Sequence, residues 1–170
     1  MKSIAHTLSH ARSTFASLVT RTIDYEADGT PLEGYHAYED SIEGPRPGVL
    51  IVHQWTGLTD YEKGRARQLA EMGYNVFALD IYGKGIRPHP PAAGKEAGKY
   101  KGNRELFRQR LDAGLHWLRE DKRTDPERVA AIGYCFGGTG VLELARSGAT
   151  LSGVVSFHGG LGAAEGLLAK

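Results

Sequence analysis

The chain has 170 residues, 41% hydrophobic and 24% charged, a profile that fits one globular domain large enough to bury a core. Lysine plus arginine number 21 against 20 acidic residues, so no concentrated basic surface marks nucleic acid as the main partner. A lone cysteine excludes an internal disulfide, and no apolar run nears the roughly 18 residues of a membrane span, so a cytoplasmic protein is expected.

Residues 1–18 read as an N-terminal extension ahead of a domain at 19–170. Ile4, Leu8, Ala11, Phe15 and Leu18 share one helical face, and no acid precedes Asp24. A short packing helix, an over-extended start site and an organelle transit peptide all fit this pattern. A secretory signal does not, because a continuous apolar stretch is missing.

Val19 to Ala27 and Leu32 to Glu39 read as two strands around Asp28-Gly29, a hairpin signal. After a polar loop, Val49 to Val52 is wholly apolar, as a strand buried on both faces would be. Thr59 and Glu62 form a capping-box pattern opening a helix that ends near Gly73. Val76 to Leu79 is the next buried strand. Residues 83–102 are rich in Gly, Pro and Lys, with room for a short helix over Ala92 to Tyr100. Phe107, Leu111, Leu115 and Leu118 mark an amphipathic helix. Asp125-Pro126 is a turn into the strand at Val129, and Gly148 ends the next helix. Gly153 to Phe157 is the last strand.

This order predicts an α/β fold: a mostly parallel sheet flanked by helices, with an N-terminal antiparallel hairpin. Ligands in such folds bind beyond the carboxyl ends of the strands. Four segments fall there: His53 to Gly57, Asp80 to Lys84, Tyr134 to Phe136, and His158 to Gly160.

The third segment carries the sharpest motif, Gly133-Tyr134-Cys135-Phe136-Gly137-Gly138. It has the form G-x-S-x-G, with cysteine in the serine place, between a strand and a helix. That layout presents a side chain on a sharp turn, and the glycines remove Cβ atoms that would collide there. Cys135 is therefore the candidate nucleophile, at a helix N-terminus that stabilises negative charge. The amide of Phe136 is one candidate oxyanion donor, and Trp55 in the first loop is the other. His53 and Asp80 read as structural residues, the latter capping a turn. Tyr82, Lys84, Arg87 and His158 are candidate substrate-binding residues. Lys84 and Arg87 would pair with a substrate carboxylate. His158 is also the one histidine after Cys135, and so the one candidate base within the chain. No metal, dinucleotide or P-loop motif is present, so no metal or cofactor is expected.

Taken together, these residues resemble the dienelactone hydrolase family of α/β-hydrolases. The resemblance runs from about Thr22 to Gly160. It rests on Pro47 to Trp55, Gly57-Leu58, Gly73-Tyr74, Asp80 to Gly85, the cysteine elbow, and Ser156 to Gly160. It implies hydrolysis of a small lactone or ester through an acyl-cysteine, with a Cys-His-Asp triad. Cys135 would be the nucleophile, and Trp55 and Phe136 the oxyanion donors. Two departures stand out. The family usually carries a nucleophile-supporting glutamate where this chain has Gln54, which cannot take a proton at neutral pH. The family's triad aspartate and histidine follow two further strands, so the C-terminal strands and two triad members are expected to be missing here. Two other readings remain open: an inactive hydrolase remnant that binds a ligand or partner, and a redox-sensing thiol at Cys135. Oligomeric state is not readable from the sequence.

Overall fold

A computed structural model describes residues 17–163. The leader helix expected over the first residues lies largely outside them, and Leu18 opens the first strand. The elements are β1 (Leu18–Ala27), β2 (Thr30–Glu39), β3 (Arg46–Val52), α1 (Asp60–Glu71), β4 (Asn75–Ala78), α2 (Ala92–Gly102), α3 (Arg104–Glu120), β5 (Thr124–Tyr134), α4 (Phe136–Arg146) and β6 (Gly153–Phe157). The strands form one sheet in the order β1-β2-β4-β3-β5-β6. The pairs β1–β2 and β2–β4 are antiparallel, whereas β4, β3, β5 and β6 run parallel. This is the expected α/β architecture.

The hairpin closes with Ala27 opposite Thr30, leaving Asp28 and Gly29 as a two-residue loop. Both have positive φ, 49° and 71°, the backbone that matches the twist of flanking strands. The wholly apolar run of β3 follows from burial on two faces. Leu50 and Val52 pack with Phe107, Leu111 and Leu144 of α3 and α4. Val49 and Ile51 face the other way, toward Ala66 and Ala70 of α1. The period of two in a strand assigns alternate residues to opposite layers. Each such fully buried aliphatic side chain contributes about 1.5–3 kcal/mol.

The structure extends three sequence expectations. β3 begins at Arg46, inside the expected loop, because the Arg46 guanidinium bonds the carbonyls of Glu39 and Ile42 and lets the chain pair early with Thr124. β5 likewise begins at Thr124. Its register with β3 then jumps from Pro47↔Asp125 to Gly48↔Val129. The expected turn at Asp125-Pro126 survives as this irregularity, with the Glu127 amide donating to Asp125 Oδ1 at 3.2 Å. Residues 92–102 form a true helix, burying Ala93, Ala97 and Tyr100. β6 ends the sheet among the described residues, leaving Val155 48% and Phe157 41% exposed.

Candidate active site

Cys135 sits between the last residue of β5 and the first of α4, with φ 54° and ψ −111°. A non-glycine residue in that region is strained by about 1–3 kcal/mol and persists only where its surroundings hold it. Here the Cys135 amide donates to the Phe157 carbonyl at 2.9 Å, and its own carbonyl accepts from the Thr139 amide at 3.3 Å. The glycine frame is a packing requirement. A Cβ on Gly133 would lie 2.0 Å from the Gly137 carbonyl oxygen, and one on Gly137 would lie 2.1 Å from that of Val52. A Cβ on Gly138 would meet Ser156 Oγ at 2.8 Å. The start of α4 therefore lies directly against the end of β3 and the strand after the elbow. Cys135 is half-buried, and no hydrogen bond joins its sulfur to another described residue.

The loop after β3 is built around a buried carboxylate. Glu62 accepts from the Thr59 amide at 2.9 Å and the Thr59 hydroxyl at 2.7 Å. Its other oxygen accepts from the Gln54 amide at 3.2 Å. The capping-box pattern thus does more than start α1: it ties down the stretch carrying Gln54 and Trp55. The Tyr82 hydroxyl donates to the Trp55 carbonyl at 2.9 Å. Trp55 is 37% exposed, and its ring lies over Gly94 of α2. The amides of Trp55 and Phe136 donate to no described residue.

His53 is completely buried. Its Nε2 accepts from the Ile81 amide at 3.1 Å, and Nδ1 lies 2.5 Å from the Gln54 carbonyl. That pairing requires the neutral Nδ1–H tautomer. Burial lowers the pKa, against an opposing pull from Asp80. Both nitrogens are committed, as the structural reading of His53 expects. Asp80 caps its turn, accepting from the amides of Tyr82 and Gly83 at 3.1 and 3.3 Å.

The candidate substrate-binding residues divide. Tyr82 is buried, and its ring stands 5.5 Å from that of Phe136. Burial raises its pKa, with Glu96, Tyr100 and then Cys135 adding to the rise. Its hydroxyl is spent on Trp55, so it acts on the loop first. Lys84 is paired with Asp24 of β1 at 2.6 Å. Arg87 reaches Asp80 at 3.5 Å, Glu33 at 3.6 Å and the Ile86 carbonyl at 2.8 Å. Both cations are matched within the chain, a pairing that sequence spacing does not reveal. His158 has φ 45° and is exposed, without a hydrogen bond to a described residue. A cavity of about 510 Å³ lined by Tyr25, Asp112, His116 and Trp117 shares no residue with the elbow. Among the described residues, no group of three His, Cys, Asp or Glu side chains is arranged to hold a metal. No described helix is long and apolar enough to cross a membrane.

The parallel sheet, the N-terminal hairpin and the strained residue between β5 and α4 define an α/β-hydrolase fold. The chain belongs to the dienelactone hydrolase family, whose sequence model matches residues 32–169. A dienelactone hydrolase-like promiscuous phosphotriesterase from metagenomic libraries is 39% identical and superposes with a TM-score of 0.83. That alignment covers 86% of this chain and 61% of the other. The protein usf of Aquifex pyrophilus is 29% identical over 127 residues, covering 69% of this chain and 51% of the relative. An Aquifex aeolicus protein, named provisionally as a carboxymethylenebutenolidase, is 30% identical with the same coverage. The chain thus spans about half the length of these curated relatives.

Proposed function

We propose that this chain carries the nucleophilic half of a hydrolase for small lactones or esters, with Cys135 as the attacking group. The observation that carries the reading is the Cys135 backbone, held at φ 54° by glycines whose Cβ positions are occupied by neighbouring atoms. Strain of this kind at a strand-to-helix turn serves to present a side chain.

In this reading the Cys135 thiolate attacks the substrate carbonyl carbon. The carbonyl π electrons move to oxygen, and the oxyanion accepts from the amides of Phe136 and Trp55. Collapse breaks the acyl C–O bond and leaves a thioester, and the departing oxygen takes up the proton that the thiol gave; an ester frees its alcohol, whereas an opened lactone keeps it on the acyl chain. Water then attacks the thioester, freeing the acid and the thiol. Gln54, at the position of the family's supporting glutamate, takes no proton, so thiol deprotonation falls to another group. The base and its acid partner belong to the part of the family fold that these residues do not span. The substrate is a small molecule and the setting cytoplasmic.

Acylation of the chain by an activated aryl acetate, abolished in Cys135→Ala, supports the proposal. Equal rates in both proteins contradict it. One observation favours a second reading, a remnant that binds without turning over: no described base touches the Cys135 sulfur. That reading expects Cys135 to acylate no faster in the folded chain than in the unfolded one.

A further inference from the structure

We propose that His53 is a positioning residue for the Trp55 oxyanion donor: its ring holds the peptide between Gln54 and Trp55, at the end of a hydrogen-bonded chain that starts at Tyr25 on the N-terminal hairpin. The proposal rests on the reading of Cys135 as an acyl-transfer nucleophile and of the Trp55 amide as a donor to its oxyanion.

The bonds run in one direction from β1 to the site. The Tyr25 hydroxyl accepts from the Asp80 amide at 2.9 Å and donates to the Asp80 carbonyl at 3.0 Å. That carbonyl shares a peptide with the Ile81 amide, which donates to His53 Nε2 at 3.1 Å. Accepting at Nε2 leaves the ring proton on Nδ1. Nδ1–H donates to the Gln54 carbonyl, 2.5 Å away. The Gln54 carbonyl and the Trp55 N–H belong to one planar trans peptide, so they point in opposite directions. Holding the carbonyl therefore fixes where the N–H points. Donors aligned head to tail also polarise one another, which strengthens the last N–H as a donor.

The Gln54 carbonyl accepts a second bond, from the Gly57 amide at 3.2 Å. That bond lies within the loop itself, whereas His53 ties the peptide to the segment after β4 through Ile81. His53 also touches the elbow. Its ring stacks on that of Phe136 at 5.8 Å, and its carbonyl oxygen lies 2.6 Å from where a Cβ on Gly137 would sit. The imidazole thus stands beside both residues whose amides are the proposed donors.

Two reactions of Cys135 separate this role from general support of the fold. Acylation by an activated aryl acetate passes through an oxyanion. Alkylation by iodoacetamide displaces iodide from carbon and forms none. Both need the thiolate and access to sulfur, so the ratio of their rates isolates the oxyanion donors. In the parent, the acylation-to-alkylation ratio should rise on folding by about tenfold, part of the hundredfold or more that one such donor supplies. His53→Gln can keep an acceptor for Ile81 but loses the donor at the Nδ1 position, so the folded ratio should fall by about fivefold, a share of that effect. His53→Asn puts an amide nitrogen near the Nδ1 position and should recover most of the fall. Circular dichroism confirms that each variant is folded. Tyr25→Phe drops only the hydroxyl and should lower the ratio by about twofold, through lost polarisation and a looser peptide; it decides the matter if His53→Gln does not fold, and an unchanged ratio there overturns the proposal. A folded His53→Gln that keeps the parent ratio, or whose two rates fall in step, overturns the proposal and leaves the hydrolase reading intact. So do equal falls in His53→Gln and His53→Asn. A parent ratio that does not rise on folding removes the hydrolase reading, and the proposal with it.

Discussion

Gly137→Ala puts the elbow geometry under direct strain. The added methyl would sit 2.1 Å from the Val52 carbonyl oxygen and 2.6 Å from that of His53. Both obstacles are backbone at the end of a central strand, so no side-chain rotation relieves them. Overpacking of well-filled sites costs about 1–3 kcal/mol, and a backbone obstacle puts this case at the upper end, about 3 kcal/mol. Domains of this kind hold only about 5–15 kcal/mol in total, so the loss is large. Gly98→Ala is the matched control. It lies within α2, with nothing within 4 Å of its Cβ position. Alanine there should add about 1 kcal/mol through helix propensity. Urea titration followed by tryptophan fluorescence measures both. A Gly137→Ala midpoint within about 0.5 kcal/mol of the parent would refute the claim that this glycine is a packing requirement, since ordinary surface changes fall in that range.

Three further outcomes follow from the site. Glu62→Ala should cost about 3 kcal/mol in urea unfolding, because the donors of Thr59 and Gln54 lose a buried acceptor; a loss below about 1 kcal/mol would contradict the anchoring role. Thr59→Ala should cost about 1 kcal/mol, the usual worth of an N-cap, by the same measurement. Burial lowers the pKa of both His36 and His53 below the ordinary 6.5. The unfolded chain therefore binds protons that the folded chain refuses, and stability falls as pH drops from about 6.5 toward the depressed folded values. Unfolding midpoints at pH 7 and pH 5 check this, and His36→Gln should flatten the slope.

Local rules made much of the fold legible in the sequence. Asp28-Gly29 marks a loop whose two residues need positive φ. The glycines around Cys135 mark an elbow because each one removes a specific clash. Long-range pairing was not legible. Lys84 looks free in sequence, yet its partner Asp24 lies on β1, and Arg87 is matched partly by Glu33 on β2. Arg46 starts a strand early by bonding the carbonyls behind it, which no propensity records. Residues 83–102 show little periodicity because the buried face of α2 is made of Ala93, Ala97 and Tyr100, two of them too small to signal a core.

The central claim is that folding places Cys135 for acyl transfer, and intact-mass kinetics of acylation test it most directly. The chain is mixed with an activated aryl acetate, and acetylated protein is followed over time in the folded and urea-unfolded states. The account predicts one acetyl group, on Cys135, formed at least about tenfold faster in the folded chain, a modest share of the hundredfold or more that one oxyanion donor can contribute. Equal rates in the two states, or acetylation persisting in Cys135→Ala, would contradict it.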